Sequence, residues 1–350
     1  MSESQPALRG GLLALLAAAL FGLSTPLIQR WGAGLGPFTT AALLYAGAAL
    51  MGLARLRGVS QEARLRTTDA ARLLVMALCG AVIGPVALAW GLQRTSGVSA
   101  SLLLTLEAVF TALMAWVCYR ESLDRRIGVA MLLMLAGGCI LVAEQGFSGQ
   151  TGLMGLLAVG VATVAWGLDN TLSRPLADRD PGQVVLAKAV LGCAATGSIA
   201  WLGGEPGVAA FALWALLGVG ALGYGLSLQL YLLAQRSFGA ARTGSVFAFA
   251  PFVGATVAYA LGDRSYSVWL LLAGALMLTG ICLHLSEKHQ HEHAHEALEH
   301  EHAHRHDDGH HTHTHTHDPM PEGEHSHSHV HPPTRHVHPH VPDLHHQHTH

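Results

Sequence analysis

The sequence predicts an all-α integral membrane protein: ten transmembrane helices forming two inverted five-helix repeats, followed by a disordered histidine-rich tail. Three observations predict it. Of the 350 residues, 51% are hydrophobic and only 12% are charged, against about a quarter charged in soluble domains. Apolar runs close to the ~20 residues needed to cross a bilayer recur between short arginine-bearing loops. All 25 histidines lie at or beyond His284, and all but one fall between His289 and His350. Two chemically different polymers therefore meet near Ser286.

The first run, Gly10–Ile28, carries no charge and leads directly into further apolar runs, which reads as an uncleaved first span rather than a signal peptide. The full set of spans falls at 9–29, 34–54, 71–93, 97–118, 126–143, 152–173, 183–203, 209–234, 240–261 and 266–285. Glycine and proline punctuate the connections, as in Gly34-Leu35-Gly36-Pro37. Cys79, Cys118, Cys139, Cys193 and Cys282 all sit in apolar runs without C-x-x-C spacing, so they read as free thiols.

Arginine orients the array. With a cytoplasmic N-terminus, the inner segments hold Arg9, Arg55, Arg57, Arg64, Arg66, Arg72, Arg120, Arg125, Arg126, Arg174, Arg179, Arg236 and Arg242. The outer ones hold only Arg30, Arg94 and Arg264, a positive-inside bias. An even number of spans returns the C-terminus to the cytoplasm. The expected location is the cell inner (plasma) membrane, multi-pass, with both termini cytoplasmic.

The chain also repeats itself. Phe21-Gly22-Leu23 recurs as Trp166-Gly167-Leu168, Gln93-Arg94-Thr95-Ser96-Gly97 as Gln235-Arg236-Ser237-Phe238-Gly239, and the glycine-bearing run from Leu135 loosely from Leu278. The common offset, about 142–145 residues, corresponds to five spans, and an odd number of spans inverts the second copy. The expected units are 9–144, 151–285 and the tail 286–350.

The stretch Leu106-Glu107-Ala108-Val109-Phe110, running through Ala115-Trp116 to Arg120-Glu121-Ser122-Leu123, Gly128 and Gly137, resembles the EamA repeat of the drug/metabolite transporter superfamily. Pro251-Phe252-Val253, Gly262-Asp263, Gly274 and Gly280 stand in similar places in the second half. The resemblance covers residues 9–285 and implies a ten-helix carrier with both termini cytoplasmic. Ala108 departs from the proline usual after the glutamate, and Arg120 from a glycine usual before the loop glutamate.

An ionisable group at bilayer depth costs at least ~2.5–3.5 kcal/mol, so it normally faces the protein interior or a wet cavity. Glu107 lies near the middle of the fourth span, either as a proton- or cation-coupling carboxylate or as a protonated packing group. Asp169 and Lys188 are expected about 6–8 Å from the inner surface at 1.5 Å per residue, either paired as a gate or with the lysine reaching water on its own. Trp166, Asn170, Gln229 and Tyr231 complete the candidate lining; ordinary packing competes for each.

The tail reads His-x-His throughout. His291, His293, His295, His300, His302, His304, His306, His311, His313, His315, His317, His325, His327, His329 and His331 are its candidate metal ligands. Neutral imidazole beside carboxylate suits Zn, Ni, Co or Cu; a pH-responsive arm is the competing reading. The expected function is a secondary active carrier, an exporter of a small polar metabolite or amino acid, with a cytoplasmic metal-binding tail. Efflux of a divalent metal or its chelate is the alternative, and a pH- or metal-responsive membrane sensor the second. The expected partners are a small-molecule substrate, membrane lipid and divalent metal ions at the tail, with no nucleic acid and a homodimer left open. No cofactor is required, and no phosphate loop, H-E-x-x-H or nucleophile–base pair points to an enzyme.

Overall fold

The computed structural model describes residues 4–55, 64–119, 125–176, 179–238, 240–265, 267–285, 289–295, 298–304, 325–331 and 334–340. Eight helices are long and apolar enough to cross a membrane: α1 (Arg9–Trp31), α2 (Pro37–Ala54), α3 (Thr67–Leu92), α4 (Gly97–Tyr119), α5 (Arg125–Gly146), α6 (Gln150–Leu176), α7 (Pro181–Leu202) and α8 (Ala210–Gln235). Shorter apolar helices follow. Ala240–Phe247 and Ala250–Ala260 together make α9, and Val268–His284 makes α10. The chain is a multi-pass membrane protein.

Helix packing has a pattern. The principal partners are α2 with α7 and α8, α5 with α10, α1 with α8 and α9, α3 with α6 and α7, and α4 with α6 and α9. Advancing every number by five converts the α1–α8 pair into α6–α3, α1–α9 into α6–α4, and α2–α8 into α7–α3. The pairs α2–α7, α5–α10 and α4–α9 convert into themselves.

Local irregularities fall at matching places too. Helix α3 widens to π-type turns over Ala77–Ile83, and α8 does so over Gly220–Leu226. Their first residues are 143 positions apart. Helix α4 breaks between Leu103 and Leu106, and α9 between Phe247 and Ala250. Pro251, at the start of the second α9 segment, explains its break, since proline is favoured in a first turn. The first half breaks without a proline. There Thr105 donates to the Leu102 carbonyl, Glu107 to Leu104 and Ala108 to Thr105, three tight i→i−3 bonds in place of an α turn.

Fully buried Leu44, Leu103, Met134, Leu156, Leu216 and Met277 form the interior. Glycine lets the backbones meet: Gly47 lies against the Leu217 carbonyl and Gly220 against that of Leu44, leaving no room for a side chain at either. Leu12, Leu132, Leu157, Trp214 and Leu271 point outward, as a lipid-facing surface requires.

In the tail, the described backbone forms strands β1 (His289–His295), β2 (Leu298–His304), β3 (His325–His331) and β4 (Thr334–His340). β1 pairs with β4 and β2 with β3, both antiparallel. The alternation that denies the tail a core has the two-residue period of a strand, and backbone pairing needs no core. Of the candidate ligands, His306, His311, His313, His315 and His317 lie outside the described residues.

Candidate functional site

Between α1, α2, α4, α6, α7, α8 and α9 lies a cavity of about 50 Å³. Its ionisable acids and base are Glu107, Asp169 and Lys188. Six aromatic side chains, Phe21, Tyr45, Trp166, Tyr224, Tyr231 and Phe247, form much of its wall.

Asp169 and Lys188 are each 4% exposed, and the Lys188 amine bonds Asp169 Oδ2. Helices α6 and α7 extend to Leu176 and begin at Pro181, so each residue stands seven positions in, about 10 Å by the helical rise. The lysine is paired inside the bundle instead of reaching water. Gly80 makes this possible: a Cβ there would lie 2.7 Å from Lys188 Nζ and would also collide with the Asp169 carboxylate.

The same glycine organises the neighbouring aromatics. In the π segment the Gly84 N–H donates five residues back, to the Cys79 carbonyl. Next in that register comes Pro85, which has no N–H, so the Gly80 carbonyl has no helical donor. Tyr45 donates its hydroxyl to it, and Trp166 donates its indole N–H at 3.0 Å. A proline in one helix thereby fixes two cavity side chains from two others. Trp166 in turn packs over Gly84, where a Cβ would stand 2.6 Å from its Nε1.

Glu107 begins the second segment of α4, where the helix N-terminus favours a carboxylate. Its Oε1 accepts from Asn170 Nδ2 at 2.6 Å. Around it the rings form one connected cluster. Phe21 meets Trp166 edge-on at 5.6 Å, Tyr224 at 5.8 Å and Phe247 at 5.3 Å, and Tyr231 meets Phe247 at 5.0 Å.

Thus the structure gathers Glu107, Trp166, Asp169, Asn170, Lys188 and Tyr231 in one cavity. Gln229 is outside it: buried, with no acceptor for its Nε2 among the described residues. The reason is helical phase, because Tyr224, Leu228 and Tyr231 share the cavity-facing stripe of α8 and Gln229 falls between them. Phe21, Tyr45, Tyr224 and Phe247 were not singled out from sequence. Tyr45 is visible as a hydroxyl in the middle of a span, and Phe21 as the repeat counterpart of Trp166; Phe247 carries no signal apart from hydrophobicity.

Contacts also join the halves at both ends. On the N-terminal face Arg179 pairs with Asp69 at 3.1 Å, and the Leu65 N–H donates to Gln183 Oε1 at 3.2 Å. On the opposite face Glu205 accepts from the Thr39 N–H and Thr39 Oγ1, each at 2.6 Å. Asp263 there accepts from the Val98 N–H at 3.1 Å.

Residues 8–143 match the EamA-like transporter family. Over those residues the chain belongs to that family. An uncharacterized transporter of Methanothermobacter thermautotrophicus is 31% identical to this EamA chain over 225 residues, covering 63% of this chain and 66% of that protein's length. A solved crystal structure shares the fold, with a TM-score of 0.59, 21% identity, and coverage of 81% of this chain and 96% of the other.

Proposed function

We propose that this EamA protein is a secondary active carrier of the inner membrane that exports a small polar metabolite or amino acid. Ten crossings, with both termini cytoplasmic, are read as two inverted repeats, 9–144 and 151–285. The single observation that carries this reading is the cavity, where half-buried Glu107 and the buried Asp169–Lys188 pair lie between helices of both halves. Buried ionisable groups at membrane depth are expensive and mark solute or ion paths. The helix-packing pattern and the paired π segments support alternation of access about that point.

The test is a deletion strain screened for sensitivity to toxic amino-acid analogues and metabolites, then complemented. Wild type restores resistance to the exported class; Glu107→Gln inserts at the same level and does not. Full resistance conferred by Glu107→Gln would leave that residue a packing role and remove the reading.

The tail favours a second role, the binding of Zn, Ni, Co or Cu by the histidines of 286–350. Efflux of a bare metal ion is less well supported. Among the described residues no group of three or more His, Cys, Asp or Glu is placed to hold a metal, whereas dehydrating a divalent cation takes several ligands at once. A metal chelate escapes that objection. Calorimetry of the full chain against the same chain lacking 287–350 tests the tail: loss of tight Ni or Zn binding is expected, and equal binding by both would end the proposal.

A further inference from the structure

The cavity carries an imbalance of charge and of hydrogen-bond donors. Two acids line it, Glu107 and Asp169, against one base, Lys188, which is engaged by Asp169. Asp169 is 4% exposed, and its second oxygen, Oδ1, has no donor among the described residues. Glu107 has one amide donor, from Asn170. Deficits of positive charge and of N–H groups therefore coincide. A carboxylate acceptor left without a donor at such depth is costly, so the site is complete only with something cationic and donor-rich.

The walls point the same way. Trp166, Tyr224 and Phe21 stand within 5.6–6.4 Å of one another, centroid to centroid, with edge-on or tilted rings. Such rings offer negative π faces, the surface that attracts an alkylammonium group and gives little to an anion. An anionic substrate would have to take Lys188 from Asp169 and leave two acids unopposed.

Resting on the carrier reading above, we propose that the cavity selects a small alkylammonium group, primary to quaternary, over neutral and anionic solutes of the same shape. Glu107 supplies the counter-charge and the aromatic rings the remainder of the enclosure.

Purified full-length protein is titrated by calorimetry with choline and methylammonium, with their neutral counterparts 3,3-dimethylbutan-1-ol and methanol, and with 3,3-dimethylbutanoate. At least one ammonium is expected to bind saturably, at least tenfold tighter than its neutral counterpart. Glu107→Gln should lower that affinity more than tenfold, Glu107→Asp should retain most of it, and Trp166→Leu should weaken it severalfold. Equal affinity for charged and neutral members, binding of neither ammonium, or preference for the anion overturns the proposal. Failure here is distinguishable from failure of the carrier reading, because thiol accessibility of the cavity from the two membrane faces reports alternation whatever charge the solute bears.

Discussion

Lys188 donates to Asp169 directly over the backbone of Gly80, so three residues from three helices meet at one buried point. Removing one partner of a buried ion pair costs about 3–5 kcal/mol because the other charge is left alone, whereas neutralising both costs less. Lys188→Met should therefore lower the melting temperature in detergent more than Lys188→Met combined with Asp169→Asn. Equal melting of the single and double variants would mean the pair is hydrated.

Glycine to alanine at two places should give opposite results. At Gly160, in the same helix as Asp169, an added Cβ meets nothing within 4 Å, and alanine should be neutral or stabilise by up to ~1 kcal/mol. At Gly80 the methyl group displaces the ion pair. Thermal melts of both variants, with transport by the intact ones, check the contrast; a Gly80→Ala protein that melts and transports like wild type contradicts it.

The shared carbonyl of Gly80 predicts non-additivity. Either Tyr45→Phe or Trp166→Phe leaves it one donor, at a cost of about 1 kcal/mol. Both together strand a buried acceptor, so the double variant should lose more than the sum of the singles. A double-mutant cycle measured by chemical denaturation decides it, and strict additivity would separate the two bonds.

Glu205 ties the far end of α2 to the second half through Thr39. Glu205→Gln weakens a charge-assisted contact and should shift the population toward a form open on that face. Enhanced thiol labelling of Leu228→Cys from that face is the expected outcome; unchanged labelling would mean that this contact does not gate.

Much of this was legible in the chain. The spans followed from hydropathy because lipid leaves the backbone no alternative to helix, and Glu107, Asp169 and Lys188 stood out because charge is rare there. That Lys188 and Asp169 pair across α6 and α7 is not written in their spacing, because it depends on Gly80 of a third helix leaving them room. The role of Pro85 required knowing that α3 takes π turns, which depends on tertiary packing around Gly80. Of the aromatic wall, Trp166 and Tyr231 are legible as candidate lining, but Phe247 is not: a phenylalanine facing a cavity and one facing lipid are the same letter.

The account rests on the cavity being reachable from each side of the membrane in turn. Leu228 lines it, and a Leu228→Cys variant lacking the five native cysteines, labelled with a membrane-impermeant thiol reagent in oriented vesicles, measures this directly. Labelling from both faces, with each face suppressed under conditions that favour the other, is predicted. Labelling from one face only, under every solute and pH condition tried, would contradict it.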